Sequence, residues 1–396
     1  MNELGLIETV DADIARFDHK YENGVIKSLG LLVEEQRTNQ IRNNTMQGAV
    51  VGTPGTAPTN WTPINRSNLT WSIAGTGIDS GVYYVDLKLS GTANATQSPT
   101  FTFESGSQIS ASNGQTWSTS CFIKLVSGST TGITQIILAH DERSGTYLTG
   151  GNSSNFLSSI NSSTTNIFSS CRYSFSRTNT NASTTFLQPY LLVTPTNGAV
   201  IDITLRIGMP QTELGSFSTT VIPTEGSQFT RNPDNASITG TNFSSWYNQS
   251  EGTVFATFEC DNWNSSNQFG KVFTINQAIF GIENNGFWIG NDANNSNTVR
   301  YRVRSEGVNQ FGPANLTRTS TTVKSAMSVK SSDFAITIDG NAPTTSTSGT
   351  LPQVMNSLTI GRDIVGIEGA HLNGHISKLT YYPTRLPNDN LQNLTK

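Results

Sequence analysis

DFAITIDGN, residues 333–341, decides the fold class. Phe334, Ile336 and Ile338 recur at every second position, the period that sends successive side chains to opposite faces of a pleated strand. Asp339-Gly340-Asn341 then closes the run, because Asp-Gly supplies the positive φ angles of a tight hairpin turn. Outward from this hairpin the same alternation returns in GTVFATFEC (252–260), KVFTINQ (271–277), TVRYRVRS (298–305), TVKSAMSVK (322–330), SLTIGRD (357–363) and GHISKLTYY (374–382). Long apolar stretches of period 3.6 are nearly absent, and only Leu386 to Leu394 reads as a helical turn.

Toward the N-terminus a second series of strands is predicted at Asn68–Ile73, Val82–Leu89, Thr100–Phe103, Gln115–Val126, Thr134–Ala139, Phe186–Val193 and Ala199–Gln211. Seven or so strands in this span match a jelly-roll-like sandwich. Asn23-Gly24, between RFDHKY and VIKSLGLLVEEQ, predicts a further hairpin with a type I′ turn. Leu29, Leu31, Leu32 and Val33 beside it need cover that so short a segment cannot provide for itself. The arm is therefore expected to pack on the first sandwich or on a neighbouring subunit. Residues 216–236 combine two prolines with small polar residues, the pattern of a connector laid over a surface. The expectation is an all-β chain of two tandem antiparallel β-sandwiches with a short N-terminal arm. Its parts are an arm and hairpin at 1–47, a first sandwich at 48–215, the connector at 216–236 and a second sandwich at 237–396.

The 396 residues are enough for two cores, and only 13% are charged, with a net charge of -4. Phosphate binding draws on clustered Lys and Arg, so nucleic acid is not an expected partner. No apolar run is long enough to span a bilayer as a helix. The first residues lack the basic, apolar and small-residue order of a secretory signal. Cys121, Cys171 and Cys260 are odd in number and widely spaced, which predicts buried reduced thiols rather than a disulfide scaffold or a metal site.

Strings in both halves of the chain carry a resemblance. SLGLLVEEQRTNQIRNN at 28–44, preceded by ARFDH at 15–19, resembles the opening of phage tail-fibre and other virion surface proteins. GSFSTTVIPTEGSQFTRNPDNASITG at 215–240 is similar to the segment that in those proteins follows a carbohydrate-binding-module-like sandwich. EGTVFATFE (251–259), DFAITIDGN, SLTIGRD and LNGHISKLTYYPTRL (372–386) resemble concanavalin A-like, laminin-G-like domains. The resemblance implies a bacteriophage virion protein, a tail fibre or spike, that displays lectin-like domains for host attachment. Its partners would be other virion proteins and host-surface glycans. Where the fibre families carry an attachment domain or long shaft, only a short arm stands here. A capsid decoration, head fibre or cement protein without receptor binding is the alternative. A homo-oligomer is expected for such appendages, a trimer in particular.

No catalytic residue is assigned. A glycosidase needs two carboxylates facing each other across the sugar, and the nearest candidates are Glu259 with Asp261, at a strand end, and Asp141-Glu142, read as a polar turn. His371 and His375 are four apart, but Asn373-Gly374 between them breaks the helix that zinc ligation at this spacing needs. His19 and His140 have no evident partner for a nucleophile. GTPGTA at 52–57 precedes no Lys-Ser pair and no helix, so nucleotide binding is unsupported. No cofactor is expected, with calcium the one ion such sandwiches admit; Asp79, Asp292 and Asp363 are the loop-like oxygen donors. Sugar rings stack on aromatic faces, which makes Trp263, Trp288, Trp246 and Trp61 the candidate ligand-binding residues, Trp263 first because its neighbours are polar on both sides. Trp71 belongs with them by position, although an indole is more often core.

Overall fold

The computed structural model describes residues 1–94, 97–260, 270–277, 285–292, 295–363 and 371–396. In chain order the strands of its first part are β1 (Phe17–Glu22), β2 (Val25–Val33), β3 (Arg37–Asn39), β4 (Thr62–Ile64), β5 (Thr70–Asp79), β6 (Val82–Thr92), β7 (Thr100–Thr102), β8 (Ile109–Ser110), β9 (Thr116–Gly128), β10 (Ile133–Ser144), β11 (Thr146–Asn152), β12 (Arg172–Thr178), β13 (Phe186–Pro195), β14 (Val200–Leu214) and β15 (Phe229–Arg231). There follow β16 (Ala236–Thr239), β17 (Glu251–Cys260), β18 (Lys271–Asn276), β19 (Gly286–Asp292), β20 (Asn295–Ser305), β21 (Val308–Thr317), β22 (Thr322–Lys330), β23 (Phe334–Ile338), β24 (Thr344–Ser346), β25 (Ser357–Ile360) and β26 (Gly374–Tyr382). Helices are short: α1 (Leu157–Ser162), α2 (Thr241–Ser244) and α3 (Asn388–Leu394). The all-β class read from the two-residue period is the class observed.

The chain divides into two compact units, Met1–Thr9, Lys20–Lys27 and Gln36–Arg231 in one, Val10–His19, Ser28–Glu35 and Asn232–Lys396 in the other. The first 47 residues are thus not a separate arm; their segments are dealt alternately to both units. The hairpin itself has the expected turn, with positive φ at Asn23 (52°) and Gly24 (81°).

In the first unit one sheet runs β12-β9-β14-β6-β5 and the other β11-β10-β13-β7-β4, with β8 on β13. Ile203, Leu205 and Ile207 of β14, Leu87 and Leu89 of β6, and Leu138, Leu191 and Phe101 of the facing sheet meet in one core and are fully buried. Each large aliphatic so buried contributes about 1.5 to 3 kcal/mol. The segment after β14 is no surface connector at its start. Asn39 accepts from the amides of Ile41 (3.1 Å) and Thr212 (3.2 Å) and donates to the Ile222 carbonyl (3.1 Å). Asn44 donates to the same carbonyl (3.0 Å) and accepts from Thr224 N (2.8 Å), while Gln211 Oε1 accepts from Ile222 N (2.7 Å). All three amide side chains are fully buried. A buried amide is tolerated only when its donors and acceptors are used, and here they are used to lock 216–224 against 36–45.

The second unit holds the sheets β2-β26-β17-β22-β23-β24, with β2 contributing its Ser28–Val33 part, and β16-β25-β18-β19-β20-β21. Phe258, Val272, Phe273, Phe287, Val303, Phe334 and Ile336 fill the space between them. Leu31, Leu32 and Val33 pair with Ile376, His375 and Gly374 of β26, so the apolar run flagged in the sequence finds its cover in this unit. Gly30 allows the approach: its φ is 102°, and a Cβ there would stand 2.4 Å from the Ile376 carbonyl oxygen. Arg16 ties Glu34 (2.9 Å) and Asp234 together, and Asn373 Nδ2 donates to Glu35 Oε2 (3.0 Å). The terminal turn is α3, whose Leu391 packs on Phe255, Ala326 and Ala335.

Candidate functional site

Each described candidate tryptophan is engaged by neighbours of its own unit. Trp61 and Trp71 are core residues at 5% and 1% exposure. Trp61 meets Phe101 and Phe103 edge-on and donates its Nε1 to the Asn43 carbonyl at 2.8 Å. An indole so enclosed has no face for a ligand. Trp246 is half-buried in an aromatic cluster with Phe243, Tyr247 and Tyr381. Trp288 is 4% exposed, with Lys271 Nζ 3.6 Å above its ring, so its face is taken by a cation of the same unit. Trp263 lies outside the described residues.

The acidic pair Asp141-Glu142 sits where no turn exists, in the interior of β10. HDERSG reads as a turn because it is polar, but the hairpin β10–β11 continues through it with a bulge at Glu142/Arg143. Neighbouring residues of a strand face opposite ways, and the two acids have opposite fates. Glu142 turns inward and is fully buried. It pairs with Arg177 of β12 (2.9 Å) and accepts from Thr184 Oγ1 (2.6 Å) and the amides of Asn181 (2.9 Å) and Thr180 (3.1 Å). Burial opposes its charge, yet these donors hold the carboxyl below its ordinary range. His140, also inward and fully buried, lies against Phe175 with ring centroids 5.1 Å apart. Neither of its ring nitrogens has a hydrogen-bond partner. Burial, then the Arg177 charge, depress its pKa from 6.5 to about 4.

Asp141 and Arg143 turn outward. On this face Asp141 lies opposite Gln188 of β13 and Gly150 of β11, and Ala139 opposite Tyr190. Tyr190 donates to Asp141 Oδ1 (3.0 Å), and Arg143 stands 3.8 Å from Oδ2. Asp141 and Arg143 keep 17% and 24% of their side chains exposed, and Tyr147 at the rim is 59% exposed. Burial raises the Asp141 pKa against Tyr190, Arg143 and Arg66, and raises that of Tyr190 together with the Asp141 charge. Arg66, exposed beyond β4, acts on both groups. The glycines at 150 and 151 serve the two faces in turn. A Cβ on Gly150 would stand 2.7 Å from Asp141 Oδ1, and one on Gly151 2.3 Å from Arg177 Cδ.

This outward face offers two phenol rings, a carboxylate and two guanidinium groups, the mixture that holds hydroxyl-rich ligands by stacking and charge-assisted hydrogen bonds. Sequence reasoning missed it, because its members come from four separate segments. The one usable signal was Gly150-Gly151 in a strand, a mark of close approach by another group.

The remaining candidates are placed as follows. His371 Nε2 is 3.2 Å from the Asp234 carbonyl and His375 Nε2 3.0 Å from Asp18, so the two rings serve different partners. Asp79 is paired with Arg206 at 2.7 Å, Asp363 is buried, and the side chain of Asp292, like Asp261, lies outside the described residues. Among the described residues no group of three or more His, Cys, Asp or Glu side chains is placed to hold a metal ion. All three cysteines are buried free thiols.

No family model matches the chain, and no curated protein does. Among solved structures it is similar to the CBM40 module of the Ruminococcus gnavus IT-sialidase bound to α2,3-sialyllactose, at 12% identity and a TM-score of 0.33 over 41% of this chain and 93% of that one. It is also similar to domains LG4-5 of the mouse laminin α1 chain, at 11% identity and a TM-score of 0.26 over 70% and 85% of the two chains. What the outward face of β10 and β13 can hold follows from its own side chains.

Proposed function

We propose that this chain is a non-enzymatic surface protein of a bacteriophage virion that binds host-surface glycans on the outward face of β10, β11 and β13. The observation that carries the reading is the grouping of Tyr147, Tyr190, Asp141, Arg143 and Arg66 around one partly exposed carboxylate. The resemblance of residues 28–44 and 215–240 to virion proteins supports the setting. A binding rather than a cleaving role is favoured by the fate of Glu142: a sugar on the outer face meets Asp141, while the adjacent acid is turned inward and neutralised by Arg177. Weak single sites gain from repeated display, since a second contact on one particle becomes intramolecular.

The test is a glycan array, sialylated and neutral glycans included, probed with the purified protein in its native oligomeric state. Binding is expected, and Asp141→Ala and Tyr147→Ala each weaken it about tenfold or more, a loss of 1 to 2 kcal/mol for one charge-assisted hydrogen bond or stacked ring. A blank array at high valency refutes the reading. Release of reducing ends from a polysaccharide, abolished by Asp141→Asn, refutes its non-enzymatic part.

A further inference from the structure

The shape of the face says more than its chemistry. Asn152, Ala139, Tyr190, Thr102 and Thr62 stand directly opposite one another across β11, β10, β13, β7 and β4. Apart from the central tyrosine, every member of this row is small or short. Ala139 and Thr102 are buried at its floor, while Asn152 at one end and Thr62 at the other are exposed. The parallel row beside it, Gly150, Asp141 and Gln188, begins with a residue that has no side chain. Five strands are separated by four spacings of about 4.8 Å, which makes the row about 19 Å long. Arg66 lies exposed beyond one end, and Tyr147 is exposed at the other.

A receptor for the tip of a glycan needs a pocket closed on one side, so that a terminal ring is enclosed. Here the polar groups follow a line that runs across the strands and whose two end residues, Asn152 and Thr62, are exposed. We infer that the face takes an internal stretch of a linear polysaccharide, several sugars long and perpendicular to the strands, with Tyr190 beneath its middle. This rests on the glycan-binding reading above and adds the class of ligand: a surface polymer, not a terminal sugar. Asp141 and Gln188 then meet hydroxyl groups of a central sugar, and Arg66 and Thr62 meet a sugar that a monosaccharide cannot supply.

The experiment is calorimetric titration of the full chain with graded oligomers, from the monosaccharide to the hexasaccharide, of cello-oligosaccharides, oligogalacturonate and fragments of polysialic acid. In at least one series, affinity rises about tenfold or more between the monosaccharide and the tetrasaccharide and then levels off. Thr62→Trp, a change at an exposed position, removes that gain. Affinity independent of length, a gain untouched by Thr62→Trp, or silence of all three series beside a positive array overturns the inference and leaves glycan binding standing. A blank array removes both.

Discussion

Acid weakens the first unit through His140. In the unfolded chain this imidazole titrates at its ordinary 6.5, and in the folded unit at about 4, because burial and the neighbouring Arg177 guanidinium disfavour the cation. Between these values the unfolded chain binds the proton and the folded one does not, so stability falls as pH falls through this window. A shift of about 2.5 units at 1.36 kcal/mol each gives roughly 3 kcal/mol lost by the lower end, and about 2.5 kcal/mol at pH ~4.5. His140→Leu removes the titrating group together with two buried nitrogens that have no hydrogen-bond partner, and the pocket stays filled. At neutral pH the variant is as stable as the wild type or slightly more so. At pH ~4.5 it is more stable by about 2.5 kcal/mol. The assay is urea unfolding of both proteins at the two pH values; the other acidic groups are common to both and cancel in the difference. A wild-type-minus-variant difference that does not change with pH refutes the argument.

Other substitutions test the parts that position the face. Gly151→Ala drives a methyl into Arg177 Cδ and parts the buried ion pair with Glu142, a loss of about 3 kcal/mol read by thermal or urea unfolding. Asn39→Ala strips the Ile41 and Thr212 amides of their buried partner, while the Ile222 carbonyl keeps Asn44, and costs about 3 kcal/mol; retention of the wild-type urea midpoint would show that water replaces the side chain. Leu4, Leu6 and Val25, all of the first unit, are exposed at 71%, 40% and 56%. Light scattering at micromolar concentration is expected to give a multiple of 42.7 kDa for the wild type and a smaller one for Leu4→Ser with Leu6→Ser; monomeric wild type contradicts the oligomer.

The strands were legible because a two-residue period needs no partner to be seen: Phe334, Ile336 and Ile338 are all buried on the core side, as their spacing says. Turns were legible for the same local reason, Asn23-Gly24 having the positive φ angles that its residue types favour. What depended on distant partners was not. Asp141 and Glu142 look alike in the sequence, and only Arg177 and Tyr190, tens of residues away, decide which acid is structural and which faces out. Trp61 drew notice as a platform through its neighbours in sequence, whereas Phe101, Phe103 and the Asn43 carbonyl bury it. The strings at 28–44 and 215–240 stood out as framework; Asn39, Asn44 and Ile222 give the reason, since each string supplies the hydrogen-bond partners of the other.

Because the first 35 residues pass back and forth between the two units before the chain settles into either, neither unit exists as one uninterrupted length of polypeptide. A fragment cut to begin at residue 237 carries most of the second sandwich but leaves His375 without Asp18 and the β26 edge without Leu31–Val33. Fragmentation by single cuts therefore yields incomplete folds, and an autonomous second unit has to be made by circular permutation or by adding the missing strand in trans.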